Sequence, residues 1–218
     1  MTHQNFDQMR HAMIVSQLRT NTVNDPRIVD AFASVARERF VPAERSAVAY
    51  VDVATPLDAS GRALNPTLTS ARLIAAAAPV AGASVLLIGA ATGYLAAVLA
   101  HMGCRVTAVE SDAALVATAR DLLATETAVT LVEAPLDAGA KAHAPYDVLL
   151  IDGAVESVPD ALVAQLRDGG QAAYACWDRG VTRLCLGAKV GATLSALPFV
   201  DMQAVRLPGF AAPVGFTF

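Results

Sequence analysis

The fold of this chain is decided by residues 84–110, which read SVLLIGAATGYLAAVLAHMGCRVTAVE. Residues 85–88 are apolar without interruption, which is typical of a strand buried on both faces of a parallel sheet. A turn of small residues then leads into an apolar helical segment, and a second apolar run ends in Glu110. This order of strand, turn, helix and strand predicts a βαβ unit, and therefore an α/β fold with a mostly parallel, doubly wound sheet.

The turn after the first strand has the composition of a ligand-binding turn. Its residues, with the one that follows, are Gly89, Ala90, Ala91, Thr92, Gly93 and Tyr94. Because these side chains are mostly small, backbone N–H groups at the start of the helix can approach a ligand closely. Glu110 closes the next strand, which places its carboxylate beside the mouth of the turn, where it can accept hydrogen bonds from two ribose hydroxyls. The alternative is a βαβ turn that binds nothing, with Tyr94 packing the floor of the pocket.

The glycine spacing bears on the kind of cofactor. A dinucleotide fingerprint has Gly-x-Gly-x-x-Gly, because a pyrophosphate must lie against bare backbone. Here the spacing is Gly89-x-x-x-Gly93, with Ala91 at the place of a middle glycine. The turn resembles the looser one of S-adenosylmethionine-dependent methyltransferases, which bind no phosphate there, and S-adenosyl-L-methionine is the predicted cofactor.

Length and composition exclude several classes of function. The 218 residues are 55% hydrophobic, enough for one sizeable α/β domain. A net charge of −4 provides no broad basic field for nucleic acid, and no apolar run reaches the length of a membrane span. The three cysteines lack metal-ligand spacing and are typical of reduced thiols. We therefore expect a cytoplasmic protein without a metal site and without nucleic-acid or membrane partners.

The flanking regions predict a helical preface and a continued sheet. Apolar residues at helical spacing in residues 5–20, and the start signal Asp25-Pro26, predict two helices, the second of which ends near residues 37–42. We expect residues 1–57 to form an N-terminal helical cap on a core of residues 58–218. Further strands are predicted at 129–132, 147–152, 171–177, 204–207 and 214–218, with a helix from 157 to 168.

Several motifs in fixed order resemble one family over nearly the whole chain. They are MIVSQLR (13–19), Asp25-Pro26-Arg27, ARERFVP (36–42), LLIGAATGYLAAVLA (86–100), APYDVLLID (144–152) and VPDALVAQLRDGG (158–170). With them the chain resembles the protein-L-isoaspartate O-methyltransferases. The resemblance implies a Rossmann-like class I methyltransferase fold with an antiparallel C-terminal edge. It also implies methyl transfer from S-adenosylmethionine to the carboxylate of an isoaspartyl residue in damaged protein.

The chain departs from the family most in residues 58–73. Where the family carries Gly-Gln-Thr-Ile-Ser, Ala63 stands at the Thr position and Asn65 at the Ser position, so both hydroxyls are absent. Arg62 and Asn65 offer donors that could hold an acceptor carboxylate instead. Asp152 ends the fourth strand and is expected to face the same site. These three are the predicted catalytic residues; a structural loop before a helix, and a carboxylate that caps the next turn, are the alternatives.

The resemblance also implies the surroundings of the cofactor. Besides the turn and Glu110, it places Ser111, Pro135 and Leu136 there, although residues 134–137 replace the family's Gly-Asp-Gly. Leu87 likewise replaces an acid before the turn.

Three functions remain open from the sequence. The first is the isoaspartyl methyltransferase itself. The second is a methyltransferase that acts on a different small acid or amine. The third is a binding or regulatory protein that has lost catalysis on the same scaffold.

Overall fold

Two sheets organise the computed structural model, which describes residues 5–211. The strands are β1 (Thr55–Pro56), β2 (Ala63–Leu64), β3 (Ser84–Ile88), β4 (Arg105–Glu110), β5 (Val129–Glu133), β6 (Tyr146–Val155), β7 (Leu166–Asp178), β8 (Val181–Val190) and β9 (Thr193–Asp201). β1 and β2 form a small antiparallel hairpin, and the other seven form one sheet in the order β5-β4-β3-β6-β7-β8-β9. Pairing is parallel from β5 to β7 and antiparallel for β8 and β9, which confirms the predicted α/β sheet with an antiparallel C-terminal edge.

Helices cover the sheet and precede it in the chain. The α-helices are α1 (Phe6–Met13), α2 (Pro26–Ser34), α3 (Thr67–Ala77), α4 (Tyr94–His101), α5 (Ala113–Leu122) and α6 (Asp160–Val163). A π-helical turn (Ile14–Leu18) and a 3-10 turn (Arg19–Asn21) extend α1, and further 3-10 turns lie at Arg37–Phe40, Ala43–Val48 and Lys141–His143. Within the described range 5–211, no helix has the length and apolar character that crossing a membrane requires.

The two N-terminal helices start where the sequence predicts them, but the second ends at Ser34 and not near 37–42, because Val35 is extended and residues 37–40 form a separate 3-10 turn. Asp25 caps α2 by accepting a hydrogen bond from the Arg27 N–H, and Pro26 occupies the first turn. Met13 and Phe32 belong to the same buried cluster as Leu95 of α4, so these helices pack directly on the sheet's own helix layer. The pairing of β1 with β2 spans position 57, and the division into 1–57 and 58–218 stays a prediction.

Two predictions at the C-terminal side are wrong. The helix expected from 157 to 168 is only the short α6, because β7 already begins at Leu166 and pairs with β6. A strand was also expected at 204–207, but there Arg206 makes a single bridge to Ala154. The outer strands are instead supplied by the hairpin of β8 and β9. The strand expected at 214–218 lies outside the described residues.

Candidate active site

The turn between β3 and α4 is tight and buried. Gly89 and Gly93 have φ angles of +80° and +94°, a region that side chains disfavour. A Cβ on Gly93 would lie 2.6 Å from Leu123, so close packing also requires glycine there. Ala91 has a φ of +51° and is the exception, a left-handed residue with a side chain. Thr92 is fixed by donating a hydrogen bond from its hydroxyl to the Phe40 carbonyl at 2.6 Å.

Glu110 lies where the sequence places it, at the carboxyl end of β4 beside this turn. Its side chain is fully buried. Oε2 accepts a hydrogen bond from the Ala91 N–H at 2.8 Å, and Oε1 accepts from the Ser111 and Asp112 N–H groups at 2.8 and 3.1 Å. The backbone therefore holds the carboxylate in one orientation against the turn.

Arg62 reaches this carboxylate from the β1–β2 hairpin. Its Nη2 lies 2.5 Å from Glu110 Oε2, and its side chain is only 8% exposed. The two remaining donor groups of the guanidinium, Nε and Nη1, are buried and have no hydrogen-bond partner among residues 5–211. The structure thus brings two predicted site residues, one catalytic and one cofactor-binding, into direct contact.

The other two predicted catalytic residues meet at the end of β6. Asp152 Oδ1 accepts hydrogen bonds from Asn65 Nδ2 and from the Ser70 hydroxyl, both at 2.8 Å. Asn65 Oδ1 in turn accepts from the Val205 N–H at 2.7 Å, so both ends of its amide are engaged within the chain. Burial raises the pKa of Asp152 above its ordinary value of 3.8, against the opposing effect of these two donors.

Arg37 is a site residue that the sequence did not reveal. Its guanidinium is buried, donates to the carbonyls of Ala49 and Asn65 at 2.8 Å each, and lies 4.9 Å from the centre of the Tyr94 ring. Burial lowers the pKa of Arg37 and raises that of Tyr94. In the sequence it stands in a run of alternating charges, which is typical of a solvated surface, and no local signal distinguishes it.

A cleft opens beside Glu110. Its volume is about 590 Å³, and its walls include Arg62, Ser111, Asp112 and a C-terminal segment, residues 206–211. Leu136 is buried in the neighbouring apolar cluster, whereas Pro135 and Ser111 are exposed. The C-terminal segment also covers the turn, since a Cβ on Gly89 would lie 2.9 Å from Leu207 Cδ1.

Other candidate chemistry is not assembled in the described part of the chain. Residues 5–211 contain no group of three or more His, Cys, Asp or Glu side chains placed to hold a metal ion. The three cysteines are free thiols.

The sheet order, the glycine-framed turn and the acid that closes β4 define a Rossmann-like class I methyltransferase. Two solved structures share this fold. A protein-L-isoaspartate O-methyltransferase has a TM-score of 0.80 at 22% identity, over 92% of this chain and 66% of that chain. A putative protein-L-isoaspartate O-methyltransferase from Plasmodium falciparum, in complex with S-adenosyl-L-homocysteine, has a TM-score of 0.74 at 14% identity, over 94% and 98%.

Sequence comparison identifies the particular family. The family model described as Protein-L-isoaspartate(D-aspartate) O-methyltransferase matches residues 9–175. The protein-L-isoaspartate O-methyltransferase of Methylorubrum populi is 42% identical over 166 residues, which are 76% of this chain and 78% of the relative. That of Koribacter versatilis is 32% identical over 202 residues, 92% of this chain and 90% of the relative. The chain belongs to the protein-L-isoaspartate O-methyltransferase family.

Proposed function

We propose that this chain transfers the methyl group of S-adenosylmethionine to the α-carboxylate of an isoaspartyl residue in damaged protein. The observation that carries the proposal is Glu110, a buried carboxylate that three backbone N–H groups hold beside the turn after β3. Family membership supports the same cofactor and the same class of acceptor.

The residues around the cleft fit S-adenosylmethionine. Glu110 supplies a fixed acceptor for a ribose hydroxyl, and the cleft beside it has a volume of about 590 Å³. The resemblance to the family places Leu136 near the adenine, and here Leu136 is buried in the neighbouring apolar cluster. When bound, the cofactor supplies a sulfonium methyl, which an acceptor oxygen takes as the S–CH3 bond breaks, leaving S-adenosylhomocysteine. The Arg62 guanidinium occupies one hydrogen-bonding position of the Glu110 carboxylate. It has to leave that position before a ribose hydroxyl of the cofactor can bond there.

The work of the protein in this reaction is alignment. A carboxylate is ionised at neutral pH, so the acceptor needs no general base. Holding the nucleophile in line with the methyl group lowers the activation barrier. In well-oriented intramolecular reactions this effect starts at roughly 7 kcal/mol. Arg62 provides the positive charge for holding the acceptor, since its guanidinium has unpaired donors. Asn65 acts indirectly, because its amide hydrogen-bonds both the Asp152 carboxylate and the Val205 N–H and so holds them in place.

A peptide methylation assay tests this function. Purified protein is incubated with labelled S-adenosylmethionine and either an isoaspartyl peptide or its normal aspartyl isomer, and base-labile methyl ester is counted. We expect ester on the isoaspartyl peptide only. No ester above background, under conditions in which the Methylorubrum populi relative methylates the same peptide, would contradict the proposal. Label in a small-molecule fraction of cell extract would point to a different acceptor.

A further inference from the structure

The Glu110 carboxylate, which pairs with Arg62, is unusual in how many hydrogen bonds it accepts. Oε1 accepts from the backbone of Ser111 and Asp112, with the Ser111 hydroxyl a further, long contact at 3.5 Å, and Oε2 accepts from the backbone of Ala91 and from Arg62. A carboxylate has about four lone-pair positions, so this one is full. A ribose hydroxyl can therefore bond to Glu110 only if one of these donors leaves.

Arg62 is the donor that can leave. The backbone N–H groups are fixed by the turn and by the start of α5, whereas the Arg62 guanidinium ends a long side chain from the hairpin loop, just before the two-residue strand β2. Its neighbours Ser60 and Gly61 are exposed and line the cleft with it, and Gly61 has a φ of +89°. Movement of this side chain costs the sheet no hydrogen bond.

The rest of the guanidinium shows that its present position is incomplete. Within residues 5–211, Nε and Nη1 are buried and no protein acceptor bonds them, whereas most buried donors in proteins are hydrogen-bonded. Arg37 provides the contrast, because its Nε and Nη2 both donate to carbonyl oxygens. A second buried guanidinium of this protein, that of Arg37, thus has more of its donors hydrogen-bonded than the guanidinium of Arg62 has.

We propose that Arg62 is a positioning residue with two places: on Glu110 when the cofactor is absent, and on the acceptor carboxylate when the cofactor's ribose takes Glu110. The inference rests on the proposed function and adds an order to it. The guanidinium becomes available in the cleft only after the cofactor has bound, so the acceptor binds second. The charged guanidinium of Arg62 would also take the place of the hydroxyl donors that the family resemblance implies at positions 63 and 65, where this chain has Ala63 and Asn65.

Calorimetric titration with S-adenosylhomocysteine tests the first place. Arg62→Met removes the competitor for Glu110 at similar side-chain length, and we expect binding about tenfold tighter than in the wild type. Arg167→Met is the matched control, because Arg167 also pairs with an acid, Asp147, at 2.7 Å but does not line the cleft, and the affinity of this variant for S-adenosylhomocysteine should stay unchanged. Equal or weaker binding by a folded Arg62→Met variant overturns the inference.

The second place is tested on the wild type, which avoids any folding defect of the variant. Titration of a non-methylatable isoaspartyl peptide analogue should give heat only when S-adenosylhomocysteine is already bound. Equal peptide affinity with and without it overturns the proposed order. If S-adenosylhomocysteine binds neither the wild type nor the variants, the proposed function itself fails and the inference falls with it.

Kinetics separate positioning from a merely structural role. In Arg62→Met the KM for the isoaspartyl peptide should rise at least about tenfold while kcat falls less, and Arg62→Lys should restore part of the KM. Equal effects of both variants on kcat, with KM unchanged, would contradict a role in holding the acceptor.

Discussion

Two carboxylates at the carboxyl edge of the sheet, Glu110 on β4 and Asp152 on β6, are held in different ways. The carboxylate of Glu110 accepts hydrogen bonds from three backbone N–H groups and from the Arg62 guanidinium. Asp152 has two neutral side-chain donors on one oxygen, and burial raises its pKa. Both receive a side chain from residues 62–65, which lie between the loop of the β1–β2 hairpin and the start of α3.

The difference teaches which acid can serve the cofactor. Three backbone N–H groups and a guanidinium hold the Glu110 carboxylate in one orientation, which suits a fixed acceptor of hydrogen bonds. Burial makes Asp152 easier to protonate, although its two donors and the charges of Arg37 and Arg62 oppose this. In the proposed reaction we therefore assign the first acid to the cofactor and the second to the acceptor side.

The largest effect is expected for Glu110→Gln. The new amide nitrogen would face N–H donors, and Arg62 would remain as a buried charge without its partner. Breaking a buried pair in this way costs about 3–5 kcal/mol, which urea unfolding measures as a lower midpoint. The double variant Glu110→Gln with Arg62→Met should recover part of the loss. A cost below about 1 kcal/mol for the single variant would mean that Glu110 is not held by charge.

Ser70→Ala should have an intermediate effect on the other acid. The substitution removes one of the two hydrogen bonds to Asp152, and a hydrogen bond to a charged group contributes about 1.5–3 kcal/mol. Unfolding at pH 7 measures the loss. Thr69→Ala is a neighbouring control, since its hydroxyl donates to the Gln203 carbonyl instead. The account requires that Ser70→Ala, and not Thr69→Ala, changes the pH dependence of stability.

Asp152→Asn should act in the opposite direction from Glu110→Gln. The native protein binds the Asp152 proton more tightly than the unfolded chain does, so stability falls as pH rises from 3.8 through the raised pKa and stays lower above it. Asparagine can accept both hydrogen bonds without carrying charge. We expect a gain in stability at pH 7 and a flatter dependence of stability on pH above 3.8, measured by thermal unfolding. A loss of stability at pH 7 would show that the ionised form is favoured.

The smallest effect is expected for Arg206→Met at the rim of the cleft. Its ion pair with Glu156 is 2.7 Å long, but the Arg206 side chain is 55% exposed. Exposed pairs contribute little, about 0.5 kcal/mol or less here, because water and salt screen them. A loss comparable to that of Glu110→Gln would remove the distinction between the buried and the exposed pair.

The fold was predictable from the sequence because its signals are local. Unbroken apolar runs, a glycine-framed turn and Asp25-Pro26 each act within a few residues, and β3, α4, β4 and α2 lie where these signals place them. The exceptions have a physical reason: Gly169 and Gly170 read as a helix end, yet pairing of β7 with β6 draws them into the sheet. Strand pairing is a long-range effect that a local pattern does not contain.

The contacts of the site were less predictable. Arg62 and Glu110 are 48 residues apart in the chain, and Asn65 and Asp152 are 87 apart. The sequence singled out all four side chains but did not predict which of them form pairs, because residue type alone does not specify the partner of an ion pair or hydrogen bond. Arg37 was missed altogether, because its guanidinium is bonded to the backbone carbonyls of Ala49 and Asn65. Every residue has a backbone carbonyl, so the residue types at these positions do not predict the contacts.

A crystal structure of this protein grown with S-adenosylhomocysteine tests the central claim most directly. We expect a ribose hydroxyl within hydrogen-bond distance of Glu110 in the position that Arg62 leaves, the three backbone N–H contacts intact, and the Arg62 guanidinium moved into the cleft. A structure in which the ligand lies elsewhere, while Arg62 still occupies Glu110, would contradict it.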